Sequence, residues 1–320
     1  MAALDRPQAD ASSRGGKVQV GDVALTYLDW GGGGSPLVLL PGLGDTPHIF
    51  SAIAPRLTVQ HRVLGLCRRG HGGSDTPPGG YDPQTLARDI SAFLQALDLE
   101  GVTLVGHSIA GNEMTALAAA REARLAGLVY LDAAYDRRGT RERMRRDPLL
   151  ARPVPSRVHS QARDFDGYRE RAREFFGFWN AALEANLRAR LHPDGEGGLR
   201  GAPPFVAQRI LEASERFAPP YDQVSVPRLA FYAPFGDDHW APYDRSDAEL
   251  RQAVGRFMRE VMHPWQRCCI EAFTAGPGAA RAVEVAGAHH YLFLSHEDRV
   301  VEEVLSFTEG SGQEGELADD

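Results

Sequence analysis

Short apolar runs alternate with stretches of helical period along most of this chain, and that alternation limits the possible folds more than any other feature. The runs are VALTYLDW (23–30), PLVLLPG (36–42), RVLGLCR (62–68), VTLVG (102–106), LAGLVYLD (125–132), RLAFYA (228–233) and ARAVEVAG (280–287). A strand covered by helices on both sides has no wet face, so it reads as a continuous apolar run. Helical patterns lie between the runs: DPQTLARDISAFLQAL (82–97), NEMTALAAAREA (112–123), the long stretch 247–273 and EDRVVEEVLSF (297–307). Asp82 followed by Pro83 supplies an N-cap and a pre-set first helical residue. The order predicts an α/β fold, a mostly parallel sheet with helices on both faces.

One section departs from the alternation. Residues 137–222 hold helical patterns, among them the aromatic-rich stretch 165–191, and no convincing buried strand. We read this block as a helical lid inserted between two core segments, 17–136 and 223–310. Residues 1–16 are small and polar, and SGQEGELADD (311–320) is an acidic tail; both are expected to be disordered.

A chain of 320 residues that is 43% hydrophobic suffices for one large domain with an insertion. Its formal net charge of −8 lacks the basic footprint of a nucleic-acid partner. No run reaches the roughly 18 apolar residues of a membrane helix, and the N-terminus lacks the apolar centre of a secretory signal. Cys67, Cys268 and Cys269 have neither framework nor zinc-site spacing, which fits a reducing compartment. The expectation is a cytoplasmic protein that acts on a small molecule, without membrane partner, metal or organic cofactor. The spacing leaves its oligomeric state open.

The stretch VTLVGHSIAGNEMT (102–115) reads as a strand, a sharp turn and a helix, with Ser108 at the turn. A serine hydroxyl is a poor nucleophile unless it is exposed and placed beside a base. A tight elbow gives that exposure by holding the serine in a sparsely populated backbone conformation. The residues two before and two after it are crowded and must be small; here they are Gly106 and Ala110, with Gly111 next. The dipole of the following helix favours an anion at the turn. Upstream, LVLLPGLGD (37–45) ends a strand in a glycine-rich turn that can offer backbone N–H groups to an oxyanion. The candidate donors are the N–H groups of Leu43 and Ile109. Downstream, VAGAHHYLFL (285–294) places His289 and His290 in a loop after the last strand, where a base is needed.

Taken together, PGLGD (41–45), RRGHGGSDTP (68–77), GHSIAG (106–111) and GAHHYLFL (287–294) resemble the α/β-hydrolase fold family, in its lid-containing, esterase-like branch. The resemblance covers nearly all of 18–308 and is weakest in the lid. It implies a catalytic serine at Ser108 and a histidine at His290, which with Gly287 fits the family's G-x-x-H pattern. It also makes 69–75 a structural loop. The family often has Asp where this chain has Cys67, and His-Gly where this chain has Pro41-Gly42. Family order puts an acid between serine and histidine. Asp132 at the end of LAGLVYLD fits one known position; Asp238, in the loop PFGDDHW, fits the other with a shifted pattern. Asp132 is preferred and Asp238 is the alternative.

Other residues take plainer readings. Glu113 suits the first turn of its helix, His48 reads as a surface histidine, and the arginines of 136–146 read as a solvated helix before they read as anion receptors. Tyr168, Phe175, Phe176, Phe178 and Trp179 are expected to pack the lid on the core. The resulting expectation is a serine hydrolase that cleaves a small to medium carboxylic ester through an acyl-enzyme. Lactone opening, C–C bond hydrolysis and perhydrolysis use the same machinery, and a non-catalytic ligand-binding relative is the minor alternative.

Overall fold

The computed structural model describes residues 13–145, 162–236 and 247–316. Eight strands form one sheet in the order β1-β2-β4-β3-β5-β6-β9-β10. They are β1 (Arg14–Val20), β2 (Val23–Gly31), β3 (Pro36–Leu40), β4 (Arg62–Leu66), β5 (Val102–His107), β6 (Leu125–Leu131), β9 (Arg228–Tyr232) and β10 (Ala280–Glu284). The first two pair antiparallel and β2 lies antiparallel to β4; every pairing from β4 to β10 is parallel. A separate two-stranded ribbon joins β7 (His192–Pro193) to β8 (Leu199–Arg200).

The parallel strands carry two apolar faces because side chains alternate across a sheet. Val38, Leu104, Leu128, Tyr130 and Ala230 fall in one cluster, and Leu37, Leu39, Val105, Val129, Leu131 and Leu229 in the other. The first face is covered by α2 (Pro83–Ala96), α3 (Ala110–Ala119) and α9 (His263–Ala275). The second is covered by α1 (Ala54–Leu57), α10 (Leu292–Ser295) and α11 (Glu297–Glu316). α2 starts as its sequence requires: the Asp82 carboxylate accepts from Thr85 N at 2.9 Å, and Pro83 opens the helix.

Between β6 and β9 lie α4 (Thr140–Arg145), α5 (Phe165–Phe176), α6 (Ala181–Arg190), the β7–β8 ribbon and α7 (Pro204–Ser214). Phe176 is buried, and Phe178 and Trp179 pack beside it on the second cluster, whereas Phe175 points to solvent.

Two expectations are corrected. The expected disorder over 1–16 ends sooner, because β1 begins at Arg14 and pairs Gly15 and Gly16 with Leu28 and Tyr27. Backbone pairing needs no apolar side chain, and Gly16 is where the Tyr27 ring lies: a Cβ there would sit 2.3 Å from it. The helical reading of 247–273 holds: α8 (Ala248–Phe257) runs without a break through a π-helical turn, Met258–Met262, into α9, so the ladder shifts register inside a continuous helix. The acidic tail expected to be disordered over 311–320 is helical as far as Glu316, since α11 propagates at the cost of one residue per added hydrogen bond.

Cys67 and Cys269 are buried, and burial pushes both thiols up to about 11; Cys268 is exposed. A thiolate reagent at pH 8 is expected to label Cys268 rapidly and the other two only on unfolding. Peptide mapping of the labelled native protein checks this, and rapid labelling of Cys67 would contradict the packing.

Candidate active site

The order of strands reverses at β3: β4 lies on one side of it and β5 on the other. Loops leaving β3 and β5 therefore turn away from each other and open a crevice at the carboxyl ends of the strands. The turn after β3 is Pro41–Asp45 and the turn after β5 holds Ser108. They touch, because a Cβ on Gly42 would lie 2.7 Å from His107 Nδ1 and 3.4 Å from Ser108 Cβ.

Ser108 has φ +55°, a region that non-glycine residues rarely adopt. Its backbone is tied down on both sides, with Ser108 N donating to Leu131 O at 3.2 Å and Gly111 N donating to Ser108 O at 3.2 Å. Asp132, at the end of the next strand, also has positive φ, +48°, and its N–H donates to Phe231 O at 3.0 Å. The sharp turns aim both side chains off the end of the sheet.

The structure brings Ser108, His290 and Asp132 into one hydrogen-bonded chain. Ser108 Oγ lies 3.0 Å from His290 Nε2, and His290 Nδ1 lies 2.6 Å from Asp132 Oδ2. A carboxylate accepts only, so Nδ1–H donates to Asp132 and Nε2 faces the serine hydroxyl. Asp132 is buried, at 1% exposure, and its second oxygen accepts from Tyr135 O–H at 2.5 Å and Ala233 N at 3.1 Å. Burial, then the charge of Asp132, pushes the Tyr135 phenol well above its ordinary value, so it stays a donor. Gln266 on α9 holds the arrangement from behind, donating to Tyr135 Oη at 2.9 Å and Ala233 O at 2.8 Å. Asp238, the alternative acid, lies outside the described residues.

His107 positions the histidine loop. Its ring packs 4.6 Å from His290 and 4.5 Å from Tyr291, and its Nε2–H donates to His290 O at 3.2 Å. Burial holds it well below the ordinary histidine range, with the neighbouring His290 charge acting in the same direction. His289, the neighbour of His290, instead faces Phe176 and Phe178.

The side chains of Leu43 and Ile109 share a small apolar cluster with Tyr81, Leu86 and, from α7, Val206 and Ile210. Among the described residues neither backbone N–H donates to another backbone group. Asp45, in the same turn, is buried. It accepts from Asn186 Nδ2 of α6 at 2.8 Å and from Tyr291 O–H at 2.9 Å, and Arg190 lies 3.7 Å away.

The pairing of Arg68 with Glu113 was missed by sequence reasoning. Instead of simply capping its helix, Glu113 is buried and meets Arg68 Nε at 2.5 Å. Burial pushes the Glu113 carboxyl up, against the opposing charge of Arg68. Arg68 also donates to Pro41 O at 2.9 Å and to Gly42 O at 3.3 Å. A charge inside the apolar pattern NEMTALAAA was the available signal, but its partner lies 45 residues away. His48 is half-buried in a 3-10 turn. Of the arginines after Asp136, Arg138 pairs with it at the surface. Arg137 has its Nε and Nη2 buried without a hydrogen-bond partner. Among the described residues no group of three or more His, Cys, Asp or Glu is placed to hold a metal, and no helix is long and apolar enough to cross a membrane.

A strand-turn-helix serine, a histidine from the last loop and an eight-stranded sheet of this order define a hydrolase-type scaffold. The chain belongs to the alpha/beta hydrolase family, whose model matches residues 37–303. It is similar to a non-heme chloroperoxidase of Streptomyces lividans, 37% identical over 34% of this chain and 41% of that protein. It is also similar to the 2-(acetamidomethylene)succinate hydrolase of Mesorhizobium japonicum, 34% identical over 32% of this chain and 37% of that protein. The N-formylmaleamate deformylase of Pseudomonas putida is 34% identical over 37% and 44%. The chain thus spans less than half the length of these curated relatives. Over whole folds, a solved E-2-(acetamidomethylene)succinate hydrolase covers 93% of this chain and 99% of its own at a TM-score of 0.68 and 20% identity.

The site also explains Ala110. A Cβ on Gly106 would lie 2.1 Å from Met114 Sδ and 3.2 Å from Ala110 Cβ, so the methyl at 110 fits because 106 has none. Gly111 is less forgiving, since a Cβ there would lie 2.2 Å from the carbonyl oxygen of Ala133, beside Asp132. Gly111→Ala would gain up to about 1 kcal/mol of helix propensity and lose about 1–3 kcal/mol to overpacking against backbone. The expected outcome, read by urea unfolding, is a net loss of stability; a stabilised variant would contradict the close approach.

Proposed function

We propose that the protein is a serine hydrolase that cleaves a small to medium carboxylic ester through an acyl-enzyme. The observation that carries this is the hydrogen-bonded chain from Ser108 Oγ through His290 to Asp132, with the serine at positive φ. In this reading Ser108 Oγ attacks the substrate carbonyl carbon while His290 Nε2 takes its proton. The carbonyl oxygen becomes an oxyanion, held by the N–H groups of Leu43 and Ile109 and favoured by the N-terminus of α3. His290 returns the proton to the leaving alcohol as the tetrahedral intermediate collapses. Water, deprotonated by the same nitrogen, then attacks the acyl group and frees the serine and the acid. Asp132 keeps the imidazole in the required tautomer and stabilises its cation. The segment 137–222 acts as a lid, a reading supported by the contact of α7 with Leu43 and Ile109 and of α6 with Asp45.

Ser108→Ala is expected to lower p-nitrophenyl ester hydrolysis by roughly 10⁴-fold or more and to abolish labelling by a fluorophosphonate probe. Unchanged hydrolysis in this variant would end the mechanism. Lactone opening, C–C bond hydrolysis and perhydrolysis run on the same groups, and a substrate panel separates them.

A second reading keeps the chemistry and changes the substrate to an N-acyl compound bearing a carboxylate. Two of the relatives are named for an acetamido-succinate and a formyl-maleamate. The specific observation in its favour is Arg137, whose buried Nε and Nη2 lack partners. Burial pushes its guanidinium down, opposed by the charge of Asp132 near the reacting groups. Buried guanidinium donors without acceptors are costly, and an anionic ligand would offset the cost. On this reading Arg137→Met raises KM for carboxylate-bearing substrates at least roughly tenfold and leaves neutral esters unaffected. Equal effects on both substrate classes would rule it out.

A further inference from the structure

We infer that Arg68, held by Glu113, is a positioning residue that aims the Leu43 N–H at the reacting oxygen. The inference rests on the serine-hydrolase reading and adds to it a residue outside the Ser108–His290–Asp132 chain.

The geometry is that of a single peptide plane. In a trans peptide the carbonyl and the N–H point in opposite directions, and the described residues contain no cis peptide. The Gly42 carbonyl belongs to the same peptide as the Leu43 N–H. That carbonyl is held on one side by Arg68 Nη1 at 3.3 Å and by Asp45 N at 3.3 Å. The preceding carbonyl, Pro41 O, is held by Arg68 Nη2 at 2.9 Å. One guanidinium thus fixes two successive peptides of a turn that packs directly on Ser108. A glycine here has no side chain to restrict its own rotation, so its orientation rests on these hydrogen bonds, one from within the turn and one from Arg68.

The guanidinium is itself fixed. Arg68 and Glu113 are both buried, with side-chain exposures of 4% each, and they meet at 2.5 Å. Glu113 stands on the first turn of α3, the helix that follows Ser108 and carries the second candidate donor, Ile109, at its N-cap. The ion pair is therefore a strut between the two turns that supply the donors. It sets their spacing together with the apolar cluster that Leu43 and Ile109 share. Lysine could not replace arginine fully, because a single ammonium cannot present a rigid fork to a carboxylate and two carbonyls at once.

The test uses the full chain with an ester substrate and a trifluoromethyl ketone, which forms an oxyanion on Ser108, as the reversible inhibitor. The double variant Arg68→Met/Glu113→Leu removes both charges together and leaves no buried ion without a partner. Its expected kcat is lower by roughly 10- to 100-fold, since loss of one oxyanion donor costs about 10²–10³, with KM within about threefold. Affinity for the ketone falls by the same factor as kcat/KM, while the affinity of the acid product is unchanged. Arg68→Lys falls between wild type and the double variant, and it carries the test alone should the double variant fail to fold. A wild-type kcat in either folded variant overturns the inference, and so does a loss of activity with ketone affinity intact. If wild-type protein neither turns over ester nor takes a fluorophosphonate on Ser108, the hydrolase reading fails first and the inference falls with it. Normal labelling and turnover in wild type with no effect in the variants sinks the inference alone.

Discussion

The parallel pairing of β3 with β5 is the constraint from which the site follows. The two strands lie side by side in the middle of the sheet, Leu37 opposite Thr103 and Leu40 opposite Gly106. Their connections leave in opposite directions, because β4 is on the far side of β3 and β6 on the far side of β5. A short turn at the end of each strand therefore faces the other across a gap that no crossover fills. Buried apolar side chains on both faces hold the strands in register, and one residue of slip would move Ser108 away from Gly42. The hydrophobic core thus sets the distances of the polar site.

Much of this was legible in the sequence because it is local. The strand, the positive-φ serine and the helix occupy consecutive residues, so small side chains at 106 and 110 record the crowding directly. The buried strands announced themselves as apolar runs, and their ends fell within three residues of the observed ones. The choice of carboxylate was different in kind. β6 lies between β5 and β9, so an acid following either β6 or β9 fits the chain order, and chain order alone cannot separate them. The hydrogen bond from His290 to Asp132 is a fact of space.

The unread part is the polar frame. Arg68 and Glu113 are 45 residues apart, and Asp45 and Asn186 are 141 apart. No local periodicity encodes such pairs. β1 escaped notice for a related reason: an edge strand held by backbone pairing can be polar and glycine-rich, which is also the composition of a disordered leader. In both cases the sequence shows the side chains, and the structure is decided by what lies across from them.

The seat of Asp45 has a mechanical consequence. One carboxylate is shared between a helix of the 137–222 segment, through Asn186, and the loop that carries the histidine, through Tyr291, which is the next residue after His290. Asn186 also accepts from Thr46 N and Thr46 Oγ1, at 2.8 and 2.9 Å. Lifting α6 off its seat would strip these bonds from a buried carboxylate and a buried amide at once. The bond to Tyr291 would then be left to a carboxylate that has lost both of its α6 partners, Asn186 and Arg190. The seating of α6 and the order of the histidine loop are thus joined by a single latch.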